Sequence, residues 1–288
     1  MIPKADPSVR ENPGVGVDAG ATLAKLAIRE ASGELGFRIV PSYAIERAAR
    51  EVEAQTPDPV GLTGAGAPRL RGLLGLDTTP VPEFEAWRAG AGALLARQGA
   101  APTERDLLVS LGTGTSVLLI EPEAARRVGG TALGGGTLLG LSAAALGISD
   151  FDEFLALASR GDRRNVDLMV GDIDPTGDLP LHAEITASSL AKLAWHGAEG
   201  RPEPEDLAHA LIGLVGENVG MLCGMMAVQN DAKRILFGGS TLRGNEPLRK
   251  LLAIFGPLYG REVVFLVDGE FAGALGALEL AESSAGVG

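Results

Sequence analysis

The sequence is poor in the residue types that bind structural metals or form cross-links. Its 288 residues include one cysteine and three histidines, and aromatic residues make up only 4% of the chain. Cys223 alone cannot form an internal disulfide or a cysteine-based zinc site, which fits a reducing compartment. Because His182, His196 and His209 show no ligand spacing, each is expected to cap or line a surface helix.

Positive charge is also in deficit. Lysine and arginine number 25 against 37 aspartate and glutamate residues, so the formal net charge is −12. An acidic surface repels the phosphate backbone of nucleic acid, and nucleic acid is therefore not expected as a partner. Hydrophobic residues make up 45% and charged residues 22% of the chain, a composition typical of a folded globular protein.

No run is both long and strongly hydrophobic. Residues 1–13 are polar and lack an apolar core, so no signal peptide is expected. The longest uncharged run, residues 128–149, contains 22 residues, of which 11 are Gly, Ser or Thr. A lipid-spanning helix would be rich in Leu, Ile, Val and Phe instead. We interpret the run as a glycine-rich loop that leads into a buried helix, and we expect a cytoplasmic protein that does not span a membrane.

Strand and helix patterns alternate along the chain and predict an α/β fold. Two similar strand–turn–strand units, at 15–29 and 106–120, lie about a hundred residues apart. This repetition predicts two lobes, residues 14–103 and 104–288, with a boundary near Thr103. The other predicted strands are 37–41, 234–237 and 263–267, and 60–63 is a short apolar run closed by Gly64. The predicted helices are 45–53, 87–97, 247–255 and 272–282.

Three glycine-rich turns are the candidate ligand-binding sites. In the first, Asp-Ala-Gly-Ala-Thr-Leu-Ala-Lys at 18–25, Gly20 lets the backbone bend and present N–H groups to phosphate oxygens. Asp18 is placed to hold Mg²⁺ through water, and Thr22 and Lys25 can add donors. Taken alone, this turn is better explained as an ordinary hairpin, because short glycine motifs often match by chance.

The second and third turns make phosphate binding a better explanation than an ordinary hairpin. Gly-Thr-Gly-Thr-Ser at 112–116 has the same strand context, and Gly-Gly-Gly-Thr at 134–137 opens a helix whose N-terminal N–H groups favour an anion. A hairpin and close helix packing are the structural alternatives. Three such turns in one chain favour nucleotide binding. The sequence contains no P-loop and no strand followed by a Rossmann glycine motif, so P-loop kinases and Rossmann dehydrogenases are disfavoured.

The most specific resemblance is carried by residues 127–141, Arg-Val-Gly-Gly-Thr-Ala-Leu-Gly-Gly-Gly-Thr-Leu-Leu-Gly-Leu. This segment is similar to the long glycine-rich segment of type II pantothenate kinases, and the first two turns are similar to that family's phosphate-binding turns. Ala21 stands where the family usually has a second glycine, and Phe151 replaces an aromatic residue that bears a hydroxyl. Further similar stretches are 161–163, 166–168, 186–188 and 237–245, and the resemblance runs in order from 14 to 280.

The resemblance implies a two-lobed actin-like ATPase fold in which two phosphate-binding hairpins face each other across a cleft. It implies ATP and Mg²⁺ as ligands, pantothenate as the acceptor, and a homodimer whose candidate interface is the apolar helical region 207–228. Gly20, Gly112 and Gly135 are expected to contact the phosphates, and Asp18 is expected to hold the metal. The expected ATP-binding residues are Asp18, Ala19, Gly20, Ala21, Thr22, Leu23, Ala24, Lys25, Gly112, Thr113, Gly114, Gly134, Gly135, Gly136, Thr137, Leu138, Phe151, Gly239 and Ser240.

Phosphoryl transfer also needs a group that orients or deprotonates the acceptor hydroxyl. The resemblance assigns this role to Glu83 in Pro-Glu-Phe-Glu-Ala, with Glu85 as the runner-up. From the residues alone, both carboxylates are better explained as solvated first-turn residues of a helix. Arg127 is expected to stabilise the transferring phosphate or to orient the substrate. The expected substrate-binding residues are Glu83, Thr113, Ser116 and Arg127.

Two other functions remain open. The same fold could phosphorylate a sugar or amino sugar, although the cysteine-rich zinc motif of one large sugar-kinase group is absent. The chain could also be an ATP-binding regulator that uses hydrolysis as a switch. Activators of radical dehydratases have this design but carry cluster-ligating cysteines, which Cys223 alone cannot supply. Acceptor-dependent release of ADP would separate a kinase from a regulator.

Overall fold

The computed structural model describes residues 12–178, 183–195 and 202–285. The predictions for His182 and His196 therefore lie outside the described residues. The strands are β1 (Gly14–Ala19), β2 (Leu23–Arg29), β3 (Leu35–Pro41), β4 (Val60–Thr63), β5 (Thr79–Pro80), β6 (Asp106–Leu111), β7 (Thr115–Glu121), β8 (Ala124–Thr131), β9 (Leu168–Met169), β10 (Thr186–Ser188), β11 (Arg234–Gly238) and β12 (Glu262–Phe265). The helices are α1 (Ile45–Glu53), α2 (Ala67–Leu73), α3 (Glu83–Arg97), α4 (Gly135–Leu146), α5 (Phe151–Ala158), α6 (Val170–Ile173), α7 (Ala191–Trp195), α8 (Pro204–Gln229), α9 (Glu246–Leu258) and α10 (Ala272–Ala285).

The strands form two five-stranded sheets with the same topology. The first sheet has the order β3-β2-β1-β4-β5, and the second has the order β8-β7-β6-β11-β12. In each sheet three antiparallel strands in sequence order are followed by two strands that run parallel to the first of them. The predicted repetition of strand–turn–strand units is confirmed and extends to whole sheets. Strands β9 and β10 form a separate two-stranded sheet.

Strand β1 is buried along its whole length because helices cover both faces of the first sheet. Val15 and Val17 pack in one apolar cluster with residues of α1 and α2. Residues alternate along a strand, so Gly16 and Asp18 lie on the opposite face. There a Cβ at Gly16 would collide with the carbonyl oxygen of Ala274 in α10. Glycine thus lets the last helix lie directly on the central strand.

Helix α10 also crosses α3 at close range. A Cβ at Gly90 would collide with the carbonyl oxygen of Ala272, and one at Gly276 would collide with that of Ala86. The last segment of the predicted second lobe therefore packs against the first sheet and against α3. The predicted lobe boundary near Thr103 stays a prediction; Thr103 itself leads into β6, where its N–H group donates to Asp106 at 2.9 Å.

Helix α8 is the central helix of the second lobe. Within the described part of the chain it is the one helix that is long and apolar enough to cross a membrane, and 67% of its most apolar window is buried inside the protein. Its inward residues, among them Leu211, Val215, Val219 and Cys223, lie in the largest apolar cluster with residues of β6, β7 and β11. This burial is typical of a helix in a protein core.

Two elements near the site differ from the sequence prediction. Helix α3 begins at Glu83 rather than Trp87, so Glu83 is its first residue. Strand β8 was not predicted, because its charged and glycine-rich sequence lacks the alternation of a half-buried strand. Its pairing with β7 is interrupted by a bulge at Val128, since Leu118 pairs with Arg127 and Val117 pairs with Gly129.

Candidate active site

The main candidate site is a cavity of about 360 Å³ between the two β-hairpin turns. The turns meet across it, with the Oγ1 atoms of Thr22 and Thr113 2.7 Å apart. This contact brings together two segments that the sequence separates widely. The sequence-predicted residues that line the cavity are Asp18, Gly20, Ala21, Thr22, Leu23, Lys25, Glu83, Gly112, Thr113, Gly114, Ser116, Arg127 and Ser240.

The first hairpin contributes a buried pair of opposite charges. Asp18 and Lys25 are directly opposite each other in the β1–β2 register. Lys25 Nζ lies 3.5 Å from Asp18 Oδ2, and both side chains are buried. Burial raises the pKa of Asp18, and the charge and hydrogen bond of Lys25 partly offset that rise. A carboxylate in this position gains from any further cation that approaches it.

Glu83 belongs to this charged group, whereas Glu85 does not. Glu83 lies at the start of α3, where it lines the cavity. Partial burial and then the charge of Asp18 raise the pKa of Glu83, while Lys25 lowers it. Glu85 forms an ion pair with Arg88 at 2.9 Å. The structure therefore favours Glu83 over Glu85 as the carboxylate that faces a ligand.

The second hairpin contributes hydroxyl and amide groups without charge. The carbonyl oxygen of Gly112 accepts hydrogen bonds from the N–H of Gly135 and from Thr241 Oγ1, each at 2.8 Å. These bonds fix the turn from behind. Among the described residues, no protein acceptor is found for the N–H groups of Thr113 and Gly114. Such amides at a tight turn are suited to phosphate oxygens.

The third glycine turn braces the second. The N–H groups of Gly135 and Gly136 donate to the carbonyl oxygens of Gly112 and Thr113 at 2.8 and 2.9 Å. Two of the N-terminal amides of α4, which the sequence predicts to favour an anion, are therefore occupied within the protein. A Cβ at Gly134 would lie 2.7 Å from the Cα of Gly114, so this glycine allows the two turns to touch. Contact of ATP with Gly135 stays a prediction.

Arg127 enters the cavity from β8, next to the bulge. Within the described residues its guanidinium forms no ion pair, and it lines the cavity together with Glu83. The ideal Cβ position at Gly130 lies 2.7 Å from Arg127 Nη2, so glycine there leaves room for the guanidinium. The neighbouring Arg126 is exposed and reaches Asn230 Oδ1 at 3.5 Å. Arg127 is thus available to an anionic ligand, and Arg126 is a surface residue.

A second cavity of about 340 Å³ continues the first. The two cavities share Thr22, Leu23, Gly112, Thr113 and Ser240. Phe151 lies on the wall of the second cavity at the start of α5, which Asp150 caps by accepting the N–H of Glu153 at 2.8 Å. Because they share these residues, the two cavities form one continuous groove. The second cavity is also lined by Gly135, Gly136, Leu139, Asp150, Asp152, Thr241 and Arg243.

Several predicted ATP-binding residues do not line either cavity. Ala19, Ala24 and Leu138 are buried in apolar clusters, and Leu139 rather than Leu138 faces the second cavity. Thr137 Oγ1 donates to the carbonyl oxygen of Ala132 at 2.9 Å. The remaining two residues that lie outside both cavities are Gly134 and Gly239.

Sequence reasoning also missed residues that line the first cavity. Trp87 lies one helical turn after Glu83, so the i, i+4 spacing could have placed both on one face of α3. Ser110 precedes the second turn as Asp18 precedes the first, so the repetition could have indicated it. The other missed residues are Phe84, Thr115, Leu118 and Thr131.

The described residues contain no group of three or more His, Cys, Asp or Glu side chains that could enclose a metal ion. The donor set of the cavity does fit a Mg²⁺ ion that keeps most of its water and binds through one or two carboxylates plus substrate phosphates. Asp18 is the carboxylate in that position. Cys223 is buried, and burial raises the pKa of its thiol to about 12, which favours the neutral thiol.

Comparison with known proteins agrees with this geometry. The family model named Fumble matches residues 101–279. The type II pantothenate kinase of Oceanobacillus iheyensis is 32% identical over 264 residues, which cover 92% of this chain and 98% of the relative. The type II pantothenate kinase of Staphylococcus haemolyticus is 31% identical over 266 residues, which cover 92% of this chain and 99% of the relative.

Solved structures share the fold at low sequence identity. Component A of the (R)-2-hydroxyglutaryl-CoA dehydratase of Acidaminococcus fermentans matches with a TM-score of 0.64 at 17% identity, over 96% of this chain and 100% of that chain. A ROK family glucokinase from Streptomyces griseus, solved with glucose and AMPPNP, matches with a TM-score of 0.59 at 17% identity, over 94% and 100%. The duplicated sheets and the cleft between them define the actin-like ATPase fold. This chain matches the curated relatives at 30% identity or more over nearly its whole length. It therefore belongs to the type II pantothenate kinase family.

Proposed function

We propose that this protein transfers the γ-phosphoryl group of ATP to the 4′-hydroxyl of pantothenate, the first step of coenzyme A biosynthesis. The observation that carries the proposal is the shared cavity of Glu83, the Asp18–Lys25 pair and Arg127, which opens toward the neutral second hairpin. One carboxylate there is placed to hold a cation, and another to receive a proton. A phosphoryl transferase needs both functions in one place.

We infer one direction for ATP along the groove. Phe151 and Leu139 offer an apolar wall for adenine in the second cavity. The phosphates then reach the place where Thr22 and Thr113 meet, next to the amides of Thr113 and Gly114. Mg²⁺ held beside Asp18 would neutralise charge on the β- and γ-phosphate oxygens.

The acceptor occupies the other end of the groove. Glu83 takes the proton of the 4′-hydroxyl as that oxygen bonds to the γ-phosphorus and the bond to the leaving ADP oxygen breaks. The raised pKa of Glu83 suits a base that must accept a proton near neutral pH. Arg127 stabilises charge on the phosphoryl oxygens as it develops, and Ser116 contributes a hydroxyl to the acceptor.

The assembly we propose is a cytoplasmic homodimer that pairs through α8. Met221, Met225 and Val228 are 42, 48 and 48% exposed, and their spacing places them on one face of the helix. Such a stripe, on a helix that is mostly buried, is suited to self-association. Light scattering at micromolar concentration should give twice the mass of one chain. A monomer mass would reject this part of the proposal.

The test of the activity is a coupled ADP-release assay with separate samples of pantothenate, pantetheine and common hexoses. We expect pantothenate to give release well above the acceptor-free background. Activity on a hexose without activity on pantothenate would overturn the proposed substrate. ADP release that no acceptor increases would favour an ATP-hydrolysing regulator instead.

A further inference from the structure

The last helix places a glycine directly against the carboxylate of Asp18. A Cβ at Gly273 in α10 would lie 2.8 Å from Asp18 Oδ2 and 3.0 Å from its Cγ atom. On the other side, a Cβ at Gly64 would lie 2.7 Å from Asp18 Oδ1. The carboxylate is therefore held between two glycines that approach its two oxygens separately. Neither glycine lies in a turn that the sequence singled out.

Trp87 completes this arrangement from α3. Its indole Nε1 lies 3.1 Å from the same ideal Cβ position at Gly273. Trp87 is 5% exposed and lines the first cavity. Within the described part of the chain, its indole N–H donates to no protein acceptor. An aromatic donor and the carboxylate of Asp18 thus converge on the space that a side chain at position 273 would fill.

We propose that Gly273 is a positioning residue that sets the place of the Asp18 carboxylate in the cavity, and hence the affinity of the site for Mg²⁺. This proposal rests on the proposed function, because Asp18 is the residue assigned to the metal. An aspartate side chain is short and cannot give way far from its backbone. A methyl group at 273 would lie 2.8 Å from an oxygen of this short side chain, which has no long flexible stem to absorb the contact, so we expect the carboxylate to shift from its place.

Gly276 offers a packing control on the same helix. Its ideal Cβ meets the carbonyl oxygen of Ala86, so it allows two helix backbones to touch and does not contact Asp18. If Gly273 only allowed close packing, alanine at either position would lower stability and leave the metal requirement unchanged. If Gly273 positions Asp18, only alanine at 273 should change that requirement.

The test uses Trp87 as a reporter in the full chain. The sequence contains two tryptophans, so Trp195→Phe leaves Trp87 as the single indole. In this background, Mg²⁺ is titrated in the presence of AMPPNP, and Trp87 emission is followed. We expect Gly273→Ala to raise the Mg²⁺ concentration at half-change by about fivefold or more. In the kinase assay kcat should fall by about ten- to a hundredfold, because a 1 Å misplacement has this scale of effect.

Two further variants separate an effect on metal binding from a loss of folding. Gly276→Ala, where it folds, should leave the Mg²⁺ midpoint within about twofold of the background. Gly273→Ala/Trp87→Phe removes the indole nitrogen next to the new methyl group but keeps the contact of that methyl group with Asp18. It should therefore still require more Mg²⁺ than Trp87→Phe in the kinase assay. An unchanged midpoint in Gly273→Ala would overturn the proposal. If Gly273→Ala does not fold, a folded double variant with the metal requirement of the parent would overturn it instead. The AMPPNP titration needs no acceptor, so it stands even if pantothenate proves to be the wrong substrate.

Discussion

The two hairpins that face the cleft have the same backbone topology but carry different chemistry. One step before the turn, the first hairpin pairs Asp18 with Lys25, and the second pairs Ser110 with Ser116. A charged pair thus stands where its counterpart has two hydroxyls. The repeated fold supplies two equivalent positions on the cleft, and we propose that their side chains divide the work between a cation and the phosphate oxygens.

The residues around the two hairpins also differ, with charged groups near the first and neutral hydrogen-bonding groups near the second. The charged hairpin lies against Glu83 of α3 and Gly273 of α10, and the only ion pair of Asp18 among the described residues is with Lys25. The neutral hairpin is fixed from behind by hydrogen bonds from Gly135 and Thr241. We infer that the first hairpin is built to respond to a ligand and the second to hold its backbone amides in place.

The largest effect is expected at the carboxylate beside the charged hairpin. Glu83→Gln should lower kcat by at least about a hundredfold, because a general base contributes on that scale. Nucleotide affinity, measured by calorimetry, should change little. Glu85→Gln is the matched control, and it should be much milder because Glu85 is engaged with Arg88. The opposite order of effects would move the base to Glu85.

Removal of the Arg127 side chain should give the next largest loss of activity. Arg127→Ala should retain ATP binding by calorimetry but lower pantothenate-dependent ADP release by about a hundredfold or more, since this group acts on charge that develops during transfer. Arg127→Lys should remain impaired because it keeps the charge but loses the planar fork. Arg126→Ala should behave like the parent protein. Equal losses at both arginines would indicate a general effect of surface charge.

The comparison between the hairpins is tested by equivalent substitutions. Asp18→Asn removes the charge of the first hairpin and should lower kcat by about tenfold or more, with a higher Mg²⁺ requirement. Ser110→Ala removes a hydroxyl at the equivalent position and should change kcat by less than about fivefold, as for a single neutral hydrogen bond. Similar metal requirements in the two variants would show that the hairpins do not divide the work as proposed.

The smallest effect concerns pH. The pKa of Glu83 is raised above its ordinary value of 4.5, and the base acts in its ionised form. Activity should therefore fall as pH decreases through the raised pKa, and the acid limb of kcat/KM should lie above 4.5. Asp18→Asn removes one cause of the rise, so the limb of its residual activity should move to lower pH. A limb that does not move would show that Asp18 and Glu83 are not coupled.

The sequence predicted the two hairpins well because their signals are local. Apolar runs interrupted by Gly20 and by Gly112–Gly114 define the strand ends directly. The resemblance added Glu83 and Phe151, which no local pattern distinguishes from ordinary helix-start residues. Both lie on the groove in the structure.

The remaining features depend on contacts between distant segments. The amides of Gly135 and Gly136 are occupied because α4 begins against the second turn, and the helix-start pattern alone cannot show this. Leu138 and Leu139 exchange roles because the phase of a helix is set by what it packs against. The return of α10 to Asp18 likewise leaves no pattern around Gly273.

The central claim is that the charged hairpin holds the metal and the neutral hairpin holds the phosphates. Its most direct test is a crystal structure with Mg²⁺, AMPPNP and pantothenate. The account predicts Mg²⁺ or its bound water at the Asp18 carboxylate, phosphate oxygens at the amides of Thr113 and Gly114, and the acceptor hydroxyl at Glu83. Phosphates outside the space between the two turns, or a metal ion on the side of Ser110, would contradict it.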